Sequence, residues 1–207
     1  MVEGRELLEH LPLLAQLERA RTQGFLGPGP IADHIEHAAG FLTALLGVRG
    51  TVVDLGSGGG VPGLIIGVSR PDLSLVLLEA SAKRCQFLET ARAALGLSAV
   101  IVEGRAEVVG RGPLRGAADA VVARSFGAPA VTAECAAPLL RVGGVLIVSE
   151  PPEPLEGRWP PEGLNLVGLA RGSSGTGFPT MQVLHQVTMC PGAYPRRDGL
   201  PARRPLF

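Results

Sequence analysis

Lysine is almost missing from this chain of 207 residues. Lys83 is the single one, and every other Lys/Arg position is arginine. With 29 glycines and 18 prolines beside it, this is the usage of a G+C-rich coding sequence, so an arginine in a motif informs by its charge more than by its identity. Net charge is missing too: 19 basic residues balance 19 acidic ones, which excludes steering of the whole chain toward a polyanion. Any contact with nucleic acid must then come from local clusters. Cysteine is scarce, and Cys85, Cys135 and Cys190 are far apart with no CxxC pair, as expected of reduced thiols in a cytosolic protein. The first residues, MVEGRELLEH, carry acids where a secretory signal carries bases, and no apolar run approaches the roughly 20 residues that span a bilayer. A cytoplasmic protein with no membrane partner is expected.

What is present is a core and a rhythm. Hydrophobic residues make up 46%, enough for one α/β domain with small additions at its ends. Residues 5 to about 22 are expected to be helical, with Leu7, Leu11 and Leu14 on one buried face and Pro12 kinking or restarting the helix. GPGP at 27–30 is a break, and Asp33 is the expected N-cap of a helix to about Leu46, with Glu36 completing a capping box. Strands are then expected at Thr51 to Leu55, Leu73 to Leu78, Ala99 to Val102, Ala118 to Ala123 and Gly144 to Ser149. Helices are expected between them at Val61 to Ser69, Ser81 to Leu95 and Pro129 to Leu140. This alternation predicts a doubly wound, mostly parallel sheet. PPEPLEGRWPPEG (151–163) is expected to be a loop outside the core. Leu164 to Ala170 and Met181 to Met189 are expected to form a C-terminal antiparallel hairpin joined through RGSSGTGFPT. The expected division is a helical cap (1–48), a ligand-binding domain (49–190) and a basic tail (191–207).

The chemistry concentrates in DLGSGGGVPG, Asp54 to Gly63, directly behind the first strand. In such sheets ligands bind beyond the carboxyl ends of the strands. Two signatures overlap in the stretch: G-x-G-x-x-G of dinucleotide sites, and the D-x-G-x-G-x-G found in S-adenosylmethionine enzymes. Asp54 favours the second, because a carboxylate there would repel a pyrophosphate and attract a methionine ammonium or a sulfonium. Glu79, at the end of the second strand, can accept both hydroxyls of a ribose, which suits either cofactor. Nothing supplies the hydride-relay residue or the second domain of a dehydrogenase. His34 and His37, three apart, lack a third partner for a metal, and no metal is expected.

Several stretches occur together in order. DLGSGGGVPG, LLEASAKRCQFLE (77–89), EGRAE (103–107), ARSFGAP (123–129), PLLRVGG (138–144) and the tail YPRRDGLPARRPLF (194–207) resemble the glucose-inhibited division protein B family, bacterial 16S ribosomal RNA guanine-N7 methyltransferases. The resemblance implies a class I S-adenosylmethionine-dependent methyltransferase fold. It also implies cofactor contacts at Gly56, Val61, Ala106, Glu107 and Arg124. Asp54, Gly58 and Glu79 join these from the chemistry above. The N-terminal part departs from the family, which carries an Asn-Leu-Thr segment and then Arg-His with Asp-Ser shortly after. Here the second element is Asp33-His34-Ile35-Glu36-His37, and only His34 is kept.

The expected reaction is methyl transfer from S-adenosylmethionine to a guanine of 16S ribosomal RNA or of the small ribosomal subunit, by a monomer. Guanine N7 has an in-plane lone pair, so no base is needed and positioning can carry the reaction. Arg124 is the expected catalytic residue, on guanine O6 or on the cofactor. Arg196, Arg197, Arg203 and Arg204 are the expected RNA contacts, with Tyr194 available to stack. A small-molecule methyltransferase on the same scaffold and a binding paralogue without catalysis are the alternatives, followed by an NAD-dependent oxidoreductase.

Overall fold

The computed structural model describes residues 4–153, 156–174 and 180–207. Residues 154–155 of the proline-rich stretch and 175–179 of the expected hairpin loop lie outside the described residues. Five strands pair in parallel: β1 (Thr51–Leu55), β2 (Ser74–Glu79), β3 (Val100–Glu103), β4 (Ala118–Ala123) and β5 (Leu140–Ser149). Two more, β6 (Leu169–Ser174) and β7 (Met181–Gln186), add antiparallel at the edge, so the sheet runs β3-β2-β1-β4-β5-β7-β6. This is the expected doubly wound sheet with its C-terminal hairpin. The order reverses between β1 and β4, and a crevice opens at such a switch point beyond the strand ends.

Alternate residues of each strand feed two cores. Val52 and Leu77 face one layer, built by α1 (Gly4–Glu9), α2 (Leu11–Thr22), α3 (Ile31–Ala44), α4 (Gly63–Ser69) and α5 (Ala82–Ala94). Val53 and Leu78 face the other, built by α6 (Ala106–Val109), α7 (Pro129–Ala136), α8 (Pro161–Asn165) and the C-terminal segment with α9 (Leu200–Arg203). The first three helices therefore share one core with the sheet, Leu7, Leu17 and Phe41 being fully buried there.

Several expectations are corrected by tertiary context. The N-terminal helix does restart at Pro12 as expected, stopping at Glu9 and resuming at Leu11, where the His10 side chain accepts a hydrogen bond from the Leu13 N–H. The restart shifts the buried face to Leu13, Leu17 and Ala20, and leaves Leu11 74% exposed. Helix α3 begins at Ile31 behind Pro30, so Asp33 sits in its first turn and is not the cap. Pro138 cuts the expected helix short after Ala136, and β5 starts at Leu140. Trp159, expected in a loop outside the core, is 3% exposed because its indole packs in the second core and its N–H donates to buried Glu150 at 2.9 Å. Leu164, expected in a strand, belongs to α8.

Asp119 fastens the edge opposite the switch point. Its carboxylate accepts from the Thr51 N–H at 2.7 Å and from Arg141 Nε at 2.7 Å, tying β1, β4 and β5 together. Because Phe41 joins the cap to the sheet, Phe41→Ala is expected to cost about 3–5 kcal/mol of unfolding free energy, measured by urea denaturation.

Candidate functional site

The glycine loop between β1 and α4 is held by two carboxylates at the ends of adjacent strands. Glu79 accepts from the Gly58 N–H and the Ser81 N–H, both at 2.9 Å. Asp54 accepts from the Gly63 N–H at 3.1 Å. A side chain at Gly63 would put its Cβ 2.4 Å from the Asp54 Oδ2 and from Leu77, and one at Gly59 would meet the Phe25 carbonyl at 2.7 Å. These two glycines are required because other groups occupy their side-chain space. Asp54 corrects an expectation. It is 1% exposed and lies behind the loop, so it braces the glycine turn and is not among the residues lining the clefts on either side. Burial pushes its carboxyl up to about 7, with Glu79 adding to the shift against the Ser57 and Gly63 hydrogen bonds and Arg124.

A cleft of about 490 Å³ opens beyond the strand ends. Gly56, Glu79, Ala106, Glu107 and Phe126 line it, and so do Ala202 and Pro205 of the C-terminal segment. Cys135 also lines it, but burial pushes that thiol up to about 12, which leaves no thiolate nucleophile at neutral pH. Beside it is a second pocket of about 300 Å³, between the glycine loop and residues 25–27, lined by Gly58, Val61, Arg84 and Arg124. Lys83 and Arg84 lie over the Phe25 ring, 5.4 and 6.0 Å from its centroid, and hold this wall. Six of the expected cofactor residues, Gly56, Gly58, Val61, Glu79, Ala106 and Glu107, are thus gathered around one turn, with Arg124 facing them.

Arg124 Nη2 lies 2.7 Å from His34 Nδ1, across 90 residues of sequence. The other imidazole nitrogen lies 3.2 Å from the Gly27 carbonyl. Since a guanidinium only donates, His34 accepts through Nδ1 and donates from Nε2 to Gly27. Burial lowers the His34 pKa, the Arg124 charge lowers it further, and the neutral tautomer fits. Nη1 of Arg124 is buried with no partner among the described residues. A charged donor left unpaired this way is costly unless a ligand completes it. His37, one turn along α3, is pushed down to about 4 by burial, by Arg124 and by His34. The sequence offers His34 as a residue kept from the family's Arg-His segment and as half of a metal pair with His37, but gives no sign of its bond to Arg124. The residues that surround His34, Phe25 to Gly27, carried no signal beyond the turn chemistry of GPGP.

The C-terminal segment is fastened to the domain. Arg196 corrects the expectation of an RNA contact: its Nη2 and Nε bond buried Glu134 at 2.6 and 2.8 Å. Glu107 accepts from the Gly199 N–H at 3.1 Å and from Arg105 at 3.2 Å, while Arg105 also pairs with Asp198. Burial alone would raise the Glu107 carboxyl, but these donors outweigh it and the net shift is downward. Tyr194 is half-buried against the second core. Arg197, Arg203 and Arg204 remain exposed.

The description "GidB: rRNA small subunit methyltransferase G" fits residues 31–150. The chain belongs to this family. It is 36% identical to Ribosomal RNA small subunit methyltransferase G of Rubrobacter xylanophilus over 97% of its length and 82% of that protein. To the protein of the same name from Symbiobacterium thermophilum it is 34% identical, over 97% and 89%. Solved structures share the fold at low identity. A complex of MtNAS with S-adenosylmethionine gives a TM-score of 0.58 at 11% identity, covering 86% of this chain and 73% of that one. A 16S rRNA (adenine(1408)-N(1))-methyltransferase from Catenulisporales acidiphilia gives 0.55 at 18% identity, covering 74% and 92%. In the GidB family the chain is thus a methyltransferase with the expected class I fold. No group of three or more metal-ligating side chains occurs among the described residues, and none of their helices is long and apolar enough to cross a membrane.

Two outcomes are expected. His34→Ala should free the Arg124 guanidinium and lower turnover at least tenfold. The wild-type pH profile should fall only below the ordinary histidine range, where an imidazolium can no longer accept from Arg124; both are read by initial rates from about pH 5 to 8. The Asp54 carboxyl binds its proton more tightly folded than unfolded, so its ionisation costs stability progressively from about pH 4 to its folded value and fully above it. Asp54→Asn should therefore raise the melting temperature at pH 8 more than at pH 5 relative to wild type.

Proposed function

We propose that the chain transfers the methyl group of S-adenosylmethionine to N7 of a guanine in 16S ribosomal RNA. The observation that carries this reading is the buried Arg124 Nη1, unpaired beside the glycine loop and adjoining a cleft of about 490 Å³ with Glu79 on its wall. These residues fit S-adenosylmethionine. Glu79 uses one acceptor site on each oxygen for backbone N–H groups, and a carboxylate offers about four, so sites remain for two ribose hydroxyls. Ala106 and Glu107 border the adenine. Arg124 Nη1 pairs with the methionine carboxylate. In this reading residues 1–48 cap the site, 49–190 bind the cofactor, and Arg197, Arg203 and Arg204 of the tail contact RNA phosphates.

The cofactor, when bound, supplies a methyl group on a positively charged sulfur. The chain supplies placement. Held by His34, Arg124 would bind the cofactor's carboxylate end while Glu79 would bind its ribose. No side chain has to take a proton, because N7 loses none, so the rate comes from alignment. The target base must be unstacked to enter.

The test is incubation of purified protein with methyl-tritiated S-adenosylmethionine and small-subunit RNA from cells lacking the endogenous modification. Label recovered as 7-methylguanine supports the reading, and cofactor binding without label in RNA refutes it. Arg124→Ala should lower turnover by about two to three orders of magnitude, the effect of deleting one aligned charged donor, and an unchanged rate would refute its assignment.

A further inference from the structure

A cleft of about 290 Å³ lies beyond the ends of β4 and β5, lined by His37, Ser125, Thr132, Glu150, Arg158 and Trp159 among others. It shares Ser125, Phe126 and Gly127 with the larger cleft, and Ser125 also borders the pocket beside Arg124. With φ 53°, Ser125 is the one non-glycine residue of positive φ among the described residues, so the backbone is held in an unfavourable conformation where the three spaces meet. A base brought to the methyl group has to be placed across this turn.

Glu150 is the carboxylate of the cleft wall, paired there with Arg158. Its side chain is 3% exposed. One oxygen accepts from Arg158 Nε at 2.6 Å and the other from Trp159 Nε1 at 2.9 Å. Burying a carboxylate is expensive, and these two donors keep it paired and rigid. They occupy one acceptor site on each oxygen out of about four in all. Guanine carries two donors on one edge, N1–H and the N2 amine, with N7 on the far side of the ring. Adenine offers an acceptor at N1 and no donor at position 2. The pyrimidines have no N7.

We propose that this cleft is the target-base pocket, and that Glu150 selects guanine by accepting from N1–H and the N2 amine, with Trp159 and Arg158 fixing its carboxylate. The inference rests on the proposed RNA reaction and adds the residue that chooses the base. A guanine held by that edge directs N7 away from Glu150, toward the Ser125 turn and the cofactor. An unstacked base is commonly read on this edge.

The test compares small-subunit RNA carrying guanosine at the methylated position with the same RNA ligated to carry inosine there. Inosine keeps N7, O6 and N1–H and lacks only the N2 amine. Wild-type protein should prefer guanosine by about ten- to a hundred-fold in kcat/KM, the loss from unpairing a charged acceptor. E150Q should slow methylation of guanosine, bring the guanosine-to-inosine ratio toward unity, and leave the calorimetric Kd for S-adenosylmethionine unchanged. A wild-type ratio near one, or an E150Q ratio equal to wild type, would overturn the proposal and leave the RNA reaction standing. No product from wild-type protein on guanosine RNA would remove both. If E150Q does not fold, the ratio is read on W159F, which removes the indole donor to Glu150 together with part of a buried ring, at a temperature where circular dichroism shows the variant folded; a narrowed ratio supports the proposal and an unchanged one overturns it.

Discussion

Two carboxylates placed side by side at the ends of β1 and β2 hold the site. Parallel pairing of these strands puts Asp54 and Glu79 at the same edge of the sheet, where each takes a backbone N–H of the loop between Leu55 and Leu64. A loop so rich in glycine is costly to order, and these bonds give it one shape. Asp54 does this from inside the protein, at the expense of its own ionisation. Glu79 does it from the cleft wall, with acceptor sites left over. The loop's shape in turn brings Gly56 and Gly58 opposite Arg124.

Arg124 gains its direction from a helix far away in sequence. α3 packs on the sheet through Phe41 and its neighbours, and this packing carries His34 to the end of β4. The N-terminal helices thus take part in the site as well as in the core. This also explains why a changed Arg-His segment is compatible with the family: the one residue of it that is kept is the residue bonded to Arg124.

The arginines divide by what faces them. Arg111, Arg115 and Arg196 are turned inward onto the carbonyls of Pro195, Tyr194 and Arg204 and the buried Glu134, and they fasten the C-terminal segment against α6 and α7. Ala202 and Pro205 thereby become a wall of the larger cleft. Arg197, Arg203 and Arg204 have no acidic partner among the described residues and are exposed. Sequence spacing treats these residues alike, because burial of the opposing carboxylate is what separates them.

The sequence by itself determined the sheet and the position of its glycine turn. Buried parallel strands read as short β-branched runs between helices, so β1 and β4 were legible to the residue, and the run of glycines marked the turn that borders the cleft. Side-chain depth and long-range partners were decided only by the tertiary structure. Asp54 withdrew beneath its loop, Trp159 entered a core, Leu11 turned outward when its helix restarted, Arg196 met Glu134 and His34 met Arg124. His34 and Arg196 depend on groups tens of residues away, Leu11 on the phase of a helix after a break, and Asp54 and Trp159 on how the surrounding elements pack. Local periodicity records which residues can be buried; only packing decides which charge they meet there.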